Sequence, residues 1–287
     1  MKRLIINADD LGLTGGINRA AFELFQSGAL TSATLMANAP HAPAAALHAR
    51  GAGTAIGCHI ILLDGVPVLP PSEIPSLVDP QHTHSFRLTL GGFVSDLLRG
   101  RIRDADIEAE AVAQITLIRQ MGIAPTHIDT HKHAHIFPRV LRPLLRAALR
   151  CGIRAIRNPF EQQWSTATTP TATALRRLQI KLLNTQRTYF LAEVRRSGLA
   201  TTDGALGILA TGTLDAPTIQ RLLKTMPDGT WELVCHPGYV DAQLTNVRTR
   251  LLNSRETERH ALLETIPNAA QTDPDLSPIH FGNLTGG

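Results

Sequence analysis

Four short segments, far apart in the chain, concentrate residues that bind metals or move protons. They are Asn7-Ala8-Asp9-Asp10, Gly57-Cys58-His59, Asp129-Thr130-His131-Lys132-His133-Ala134-His135 and His236-Pro237-Gly238. The third is the densest: it holds His131, His133 and His135 with His127 just before it, in a chain of 287 residues with 12 histidines. Imidazole is the commonest metal ligand. Asp10, His59 and His131 would make a two-histidine, one-carboxylate set that leaves positions open for water and substrate, the pattern of a catalytic site and not of a closed structural one. Adjacent residues leaving a strand point in opposite directions, so one of Asp9 and Asp10 could bind a metal while the other stays free as a base. His131, His133 and His135 sit where a strand is ending and are not expected to converge; one ligates and the others orient it or line the pocket. His236 needs no metal to be useful, since it could give a proton to a departing group. Plainer uses exist as well. Asp-Asp-Leu-Gly also turns a chain and caps a helix, and a histidine closing an apolar run is also an ordinary core residue.

Each segment follows or closes a short apolar run that reads as a strand. The expected strands are 3–8, 31–37, 54–60, 127–130, 153–157, 207–210 and 231–235, with helices at 16–27, 41–50, 107–120, 138–150, 174–197 and 216–224. Strands alternating with helices of this length imply βαβ units and a parallel sheet. Strand ends on one face of a parallel barrel are where such folds keep their chemistry. The expected fold is therefore a single α/β domain over 1–287, an irregular, TIM-like (β/α) barrel of about seven parallel strands. Two stretches break the rhythm and read as insertions, 62–89, rich in Pro, Asp, Ser and His, and 160–200. The polar end, 267–287, is expected to be loosely held.

Composition narrows the class. The chain is 43% hydrophobic and only 4% aromatic, with a net charge of +4. Its basic residues are scattered singly on expected helices, without the basic stripe or motif of a nucleic-acid binder, so no nucleic-acid partner is expected. Three cysteines without framework spacing point to a reducing compartment. No apolar stretch approaches the ~20 residues of a membrane span, and residues 4–6 already read as strand. The expectation is a cytoplasmic protein.

Taken together and in order, Asn-Ala-Asp-Asp-Leu-Gly, Gly-Cys-His, Thr-His-Ile-Asp-Thr-His-Lys-His-Ala-His-Ile-Phe-Pro and His-Pro-Gly resemble the YdjC-like carbohydrate deacetylases, across about residues 3–240. Segments 64–71 and 74–79 look more like the hopanoid-associated branch of that family than the chitooligosaccharide branch. Leu11 and Cys58 stand where the family often has Phe and Leu, and neither touches a polar role. The resemblance implies hydrolysis of the N-acetyl amide of an amino sugar, in an oligosaccharide or a glycolipid, with release of acetate. It implies one divalent metal ion, Mg²⁺ by family practice, while two imidazoles also suit Zn²⁺. It assigns the metal to Asp10, His59 and His131, the general base to Asp9 and the general acid to His236. Asn7, Asn38, Asp129, Lys132, His133, His135 and Arg157 are then candidates for contacting sugar hydroxyls or orienting the carboxylates and imidazoles. A homodimer is also compatible with it.

Two rival readings follow from the same residues. A different metal-dependent hydrolase on such a barrel, an amidohydrolase or a phosphoesterase, would be marked by a His-X-His pair on the first strand or by paired metals. A sugar-binding barrel without catalysis would need neither Asp9 nor His236.

Overall fold

The structure is a computed structural model, which describes residues 1–169 and 172–285. In chain order the elements are β1 (Lys2–Leu11), α1 (Gly15–Gln26), β2 (Ser32–Leu35), α2 (Ala42–Ala52), β3 (Ile56–Ile60), α3 (Leu90–Leu98), α4 (Asp104–Gln120), β4 (Ile128–Thr130) and α5 (Pro138–Arg150). They continue with α6 (Gln163–Ala167), α7 (Ala174–Leu183), α8 (Arg187–Ser197), β5 (Gly204–Leu206), α9 (Ala216–Thr225), β6 (Gly229–Cys235), α10 (Ala242–Thr245), α11 (Asn253–Thr272) and β7 (Leu276–Pro278). All strand pairs are parallel, in the order β4-β3-β2-β1-β6-β5, with β7 on β1.

β1 is central and buried on both faces, which explains why it reads as a continuous apolar run, Leu4-Ile5-Ile6, before its polar end. The sheet curls, and isolated bridges span its two edges: Ile156 pairs with Ile128 of β4, and Glu161 with Ala205 of β5. The result is an irregular barrel of parallel strands wrapped by helices. The expected strand at 153–157 is reduced to single bridges, Ala155 to Ala200 and Ile156 to Ile128, because Pro159 lies two residues on and cannot donate to a ladder. The expected strand at 207–210 lies instead at Gly204–Leu206; Gly207, at φ 83°, turns the chain away where the run continues.

The two expected insertions are built differently. Residues 62–89 form an irregular segment with Leu62, Leu63, Ile74, Leu77 and Phe86 sunk into the core. The Glu110 carboxylate on α4 accepts the Val68 and Leu69 N–H groups at 2.8 and 3.1 Å, tying it down further. The 160–200 stretch, whose residues 170 and 171 fall outside the described part, carries α6, α7 and α8.

Residues 267–285, within the stretch expected to be loosely held, have defined places in the fold. They finish α11, add β7 alongside β1, and bury Phe281 completely against the His127 ring, centroids 3.6 Å apart. Residues 286 and 287 fall outside the described part. Apolar contact, invisible in a polar composition, anchors this end. Phe281→Ala is expected to lower unfolding free energy by about 3–5 kcal/mol, measured by urea denaturation; a loosely draped end would tolerate it with almost no change.

Candidate active site

The C-terminal ends of β1, β3, β4 and β6 open into one cavity of about 660 Å³. Asp9, Asp10, His59, His131, Lys132, His133 and His236 all line it. Strict strand alternation would send Asp9 and Asp10 to opposite faces. A bulge prevents this: between Ala8 and Leu11, three steps along β1 match two along β2, and Asp10 sits at φ 66°. The extra residue swings the Asp10 carboxylate back to the side of Asp9, so both face the cavity.

Asp10, His59 and His131 offer one ligand atom each, all within 4.8 Å of one another. Asp10 Oδ1 lies 3.6 Å from His59 Nε2 and 3.5 Å from His131 Nδ1. Ligand atoms that share one cation at about 2.0–2.2 Å stand roughly 3.0–3.6 Å apart, so the three fit a metal ion. Asp10 and His59 each have their other polar atom engaged. Arg255 of α11 takes Asp10 Oδ2 at 2.6 Å, and Asp129 takes His59 Nδ1 at 2.8 Å. The second arrangement, a carboxylate behind a ligating imidazole, fixes the ring and aims Nε2 outward. Asp129→Asn is expected to weaken divalent-ion binding about 10–100-fold, read by calorimetric titration; an unchanged affinity would mean that His59 is held by other contacts.

Beneath the cavity floor lies an ion cluster around Arg157, whose side chain is fully buried. Its Nη1 and Nη2 grip Asp9 at 2.9 and 2.7 Å, Nε bonds Glu232 at 2.8 Å, and Asp129 closes the third side. Asn7 donates to Asp9 Oδ1 at 3.0 Å, and Thr34 stands 3.3 Å from both that oxygen and His59 Nδ1. A second aspartate–histidine group, Asp9, His59 and Asp129, also has close donor atoms. There the guanidinium already occupies the carboxylate oxygens, which makes it an ion-pair cluster, and Asp10, His59 and His131 are the better fit for a cation.

These neighbours set the charge states. Burial alone would raise the Asp9 carboxyl, but the Arg157 charge, then His59, outweigh it and hold it well below the usual carboxylate range. Asp10 is held low in the same way, with burial opposed chiefly by Arg255 and His131. Burial would pull the His59 imidazole down, yet Asp129, Asp9 and Asp10 push it up to about 9. Glu232 goes the other way: burial raises it to about 7 against the pull of Arg157.

His236 completes the set. Its Nε2 is 3.8 Å from Asp9 Oδ2 across the cavity, and its backbone N–H donates to Glu258 of α11 at 2.6 Å. His133 also faces the cavity, held neutral because burial, then the Arg157 charge, bring it down to about 3. Lys132 pairs with Asp64 at the rim, where Arg248 joins at 2.9 Å.

Two candidates are placed elsewhere. His135 turns into the core, 2.6 Å from Thr130 Oγ1 and beside Phe190. Lys132 and His133, at φ 56° and 52°, break the alternation that would have kept it with His131. Asn38 donates to the Val66 carbonyl and ties down the long loop without lining the cavity. Glu232, Arg255, Glu258 and Thr34 were not singled out from the sequence. The available signal was charge in apolar surroundings: Glu232 sits in Trp-Glu-Leu-Val-Cys, the run expected as a strand.

The model of the YdjC-like protein family matches residues 3–269. The chain belongs to the YdjC-like family. It is 32% identical over 244 residues to the carbohydrate deacetylase of Geobacillus stearothermophilus, covering 84% of this chain and 82% of that one. It is 26% identical over 268 residues to that of Thermoanaerobacter pseudethanolicus, 92% of each chain. The chitooligosaccharide deacetylase of Serratia marcescens is 29% identical, with 85% and 84% covered. Among solved structures, a proposed cellobiose-phosphate cleavage protein of Enterococcus faecalis V583 superposes with a TM-score of 0.78 at 25% identity, over 99% of this chain and 98% of that one. Among the described residues, no helix is long and apolar enough to cross a membrane.

Proposed function

We propose that this YdjC-like protein is a metal-dependent N-deacetylase that removes the acetyl group from an N-acetylated amino sugar, in an oligosaccharide or a glycolipid, and releases acetate. The observation that carries this reading is the placement of Asp9 Oδ2 and His236 Nε2, 3.8 Å apart, beside the triad of Asp10, His59 and His131 in one cavity. The names of the relatives support the same chemistry.

A divalent cation held by Asp10, His59 and His131 would supply a Lewis acid for the acetyl carbonyl and lower the pKa of water. Two imidazoles and a carboxylate suit several divalent ions, Mg²⁺ and Zn²⁺ among those expected. The chain's own groups do the remaining work. Asp9, ionised at any working pH and locked in place by Arg157, accepts the proton of the attacking water. A carboxylate held so low is a weak base, which is why the acidity of the water has to be raised as well. His236 passes a proton to the sugar nitrogen as the C–N bond breaks, leaving acetate and the amine. Arg157 and Asn7 keep Asp9 aimed, and Arg255 keeps Asp10 aimed.

This division of labour disfavours the rivals. The guanidinium of Arg157 stands where the second cation of a paired-metal phosphoesterase would need free carboxylate oxygens. A binding barrel would have no use for Asp9 and His236 facing each other.

The test is acetate release from N-acetylglucosamine oligosaccharides and from an N-acetylglucosamine glycolipid, using metal-stripped protein with and without added Mg²⁺ or Zn²⁺. Acetate is expected only with metal. A metal-loaded protein that releases none from either substrate class would end the reading.

A further inference from the structure

Helix α7 presents a second apolar face that packs on nothing among the described residues. Its inner side, through Ile180 and Leu183, closes a small cavity with Phe137 and Pro159. On the opposite arc stand Leu175, Leu178 and Leu182, which are 66%, 63% and 68% exposed. Their spacing puts them in one stripe along the helix. Other exposed leucines are scattered singly; this is a row of three on ten residues, and the helix has no buried residue. Contiguous apolar surface of this kind marks a contact with something.

The surrounding charge says what that partner is. Residues 172–192 contain Arg176, Arg177, Lys181 and Arg187 and no acid. Of these cations Lys181 is exposed, as is Arg250 nearby; Arg176 is half-buried, donates to the Ile208 carbonyl at 2.8 Å and lines the same cavity as Arg250, whose charge lowers its pKa further after burial has done so. A twofold contact between copies sets a patch against itself, which here would bring cations against cations. An anionic lipid surface accepts both features at once: leucines in the acyl boundary, and Lys and Arg among negative headgroups.

We propose that α7 is an interfacial helix that docks the protein on an anionic membrane surface through Leu175, Leu178 and Leu182. The position is apt for catalysis. Leu175 and Arg176 line a cavity of about 770 Å³ that shares Arg176, Thr211, Arg250 and Leu251 with the active-site cavity. Docking on α7 therefore sets the open flank of the active site beside the headgroup layer. This last consequence rests on the deacetylase reading; the docking itself does not.

The experiment is co-sedimentation of the full chain with vesicles of phosphatidylcholine alone or of equal parts phosphatidylcholine and phosphatidylglycerol. Binding is expected to the mixed vesicles and to fall as salt is raised. Leu178→Ser/Leu182→Ser, two exposed substitutions away from both cavities, is expected to lower partitioning by at least about tenfold while leaving the thermal transition unchanged. Lys181→Glu is expected to weaken binding to the phosphatidylglycerol vesicles only. Three results overturn the proposal: no binding to the mixed vesicles, binding that survives the double leucine variant, or a lipid-free dimer in sedimentation analysis that the double variant dissociates. The assay reads binding and needs no substrate, so its failure is separable from failure to release acetate.

Discussion

Asp9→Asn lowers kcat for acetate release by about 10²–10⁴-fold and leaves divalent-ion affinity near that of the wild type. The substitution preserves shape and the hydrogen bond from Asn7, but takes away the carboxylate proposed to accept the water's proton. Asp10, His59 and His131 keep their places, because Arg255 and Asp129, not Asp9, hold two of them. The loss therefore falls on kcat and spares metal binding. The shape of the pH profile is a second check. The Asp9 carboxyl is held well below its usual range by Arg157, so the acid limb of the wild-type profile is not its titration. A variant that kept most of the wild-type rate would remove Asp9 from the base role and leave it as an anchor for Arg157.

Arg157→Met destabilises the fold by about 3–5 kcal/mol at neutral pH. One guanidinium pairs with Asp9, Asp129 and Glu232, and both it and Asp129 have no exposed surface. Removing it takes the main counter-charge away from these buried carboxyls. The pH dependence has a definite sign. In the wild type, the lowered Asp9 pKa contributes stability that is present above 3.8 and lost as pH falls below it. Glu232, raised to about 7 from 4.5, acts oppositely: its contribution is present below 4.5 and declines as pH rises toward 7. Without Arg157 the Asp9 and Glu232 carboxyls lose the charge that lowers their pKa and shift upward, and protonation relieves the unpaired charge. The gap between wild type and variant should therefore be widest at neutral pH and narrow as pH is lowered toward 4.5. Urea denaturation of the metal-free proteins across that range measures it. A gap that stays constant with pH would mean that lost packing, and not unpaired charge, is what the substitution costs.

These two expectations draw on different layers of information. The residue types at the strand ends were legible in the sequence, and so was the alternation of apolar runs and helices that brings strand ends together. β1, β2, β3, β4 and β6 lie within the expected runs or extend them. The helices it did not show are instructive, α11 above all. Its inward face carries Arg255, Glu258 and Arg259 beside Ala261 and Leu262, so apolar periodicity is absent where the helix is most buried. The same charges that hide the helix from a hydrophobic pattern are the ones that hold Asp10 and His236.

What the sequence by itself determined is an inventory: a parallel α/β architecture, and a set of Asp and His residues whose types and order match one family. The tertiary structure alone decided how they are arranged. A bulge and a left-handed Asp10 placed two adjacent carboxylates on the same side, against the alternation that a regular strand imposes. Two further left-handed residues, Lys132 and His133, parted His135 from His131. Arg157, Asp9, Asp129 and Glu232 come from segments up to 223 residues apart, and they interact because burial removes the water that would otherwise screen them. Local spacing encodes backbone periodicity. It carries no record of which distant charges will share a dry interior, and in this protein those charges keep Asp9 and Asp10 ionised and hold Asp9 facing His236.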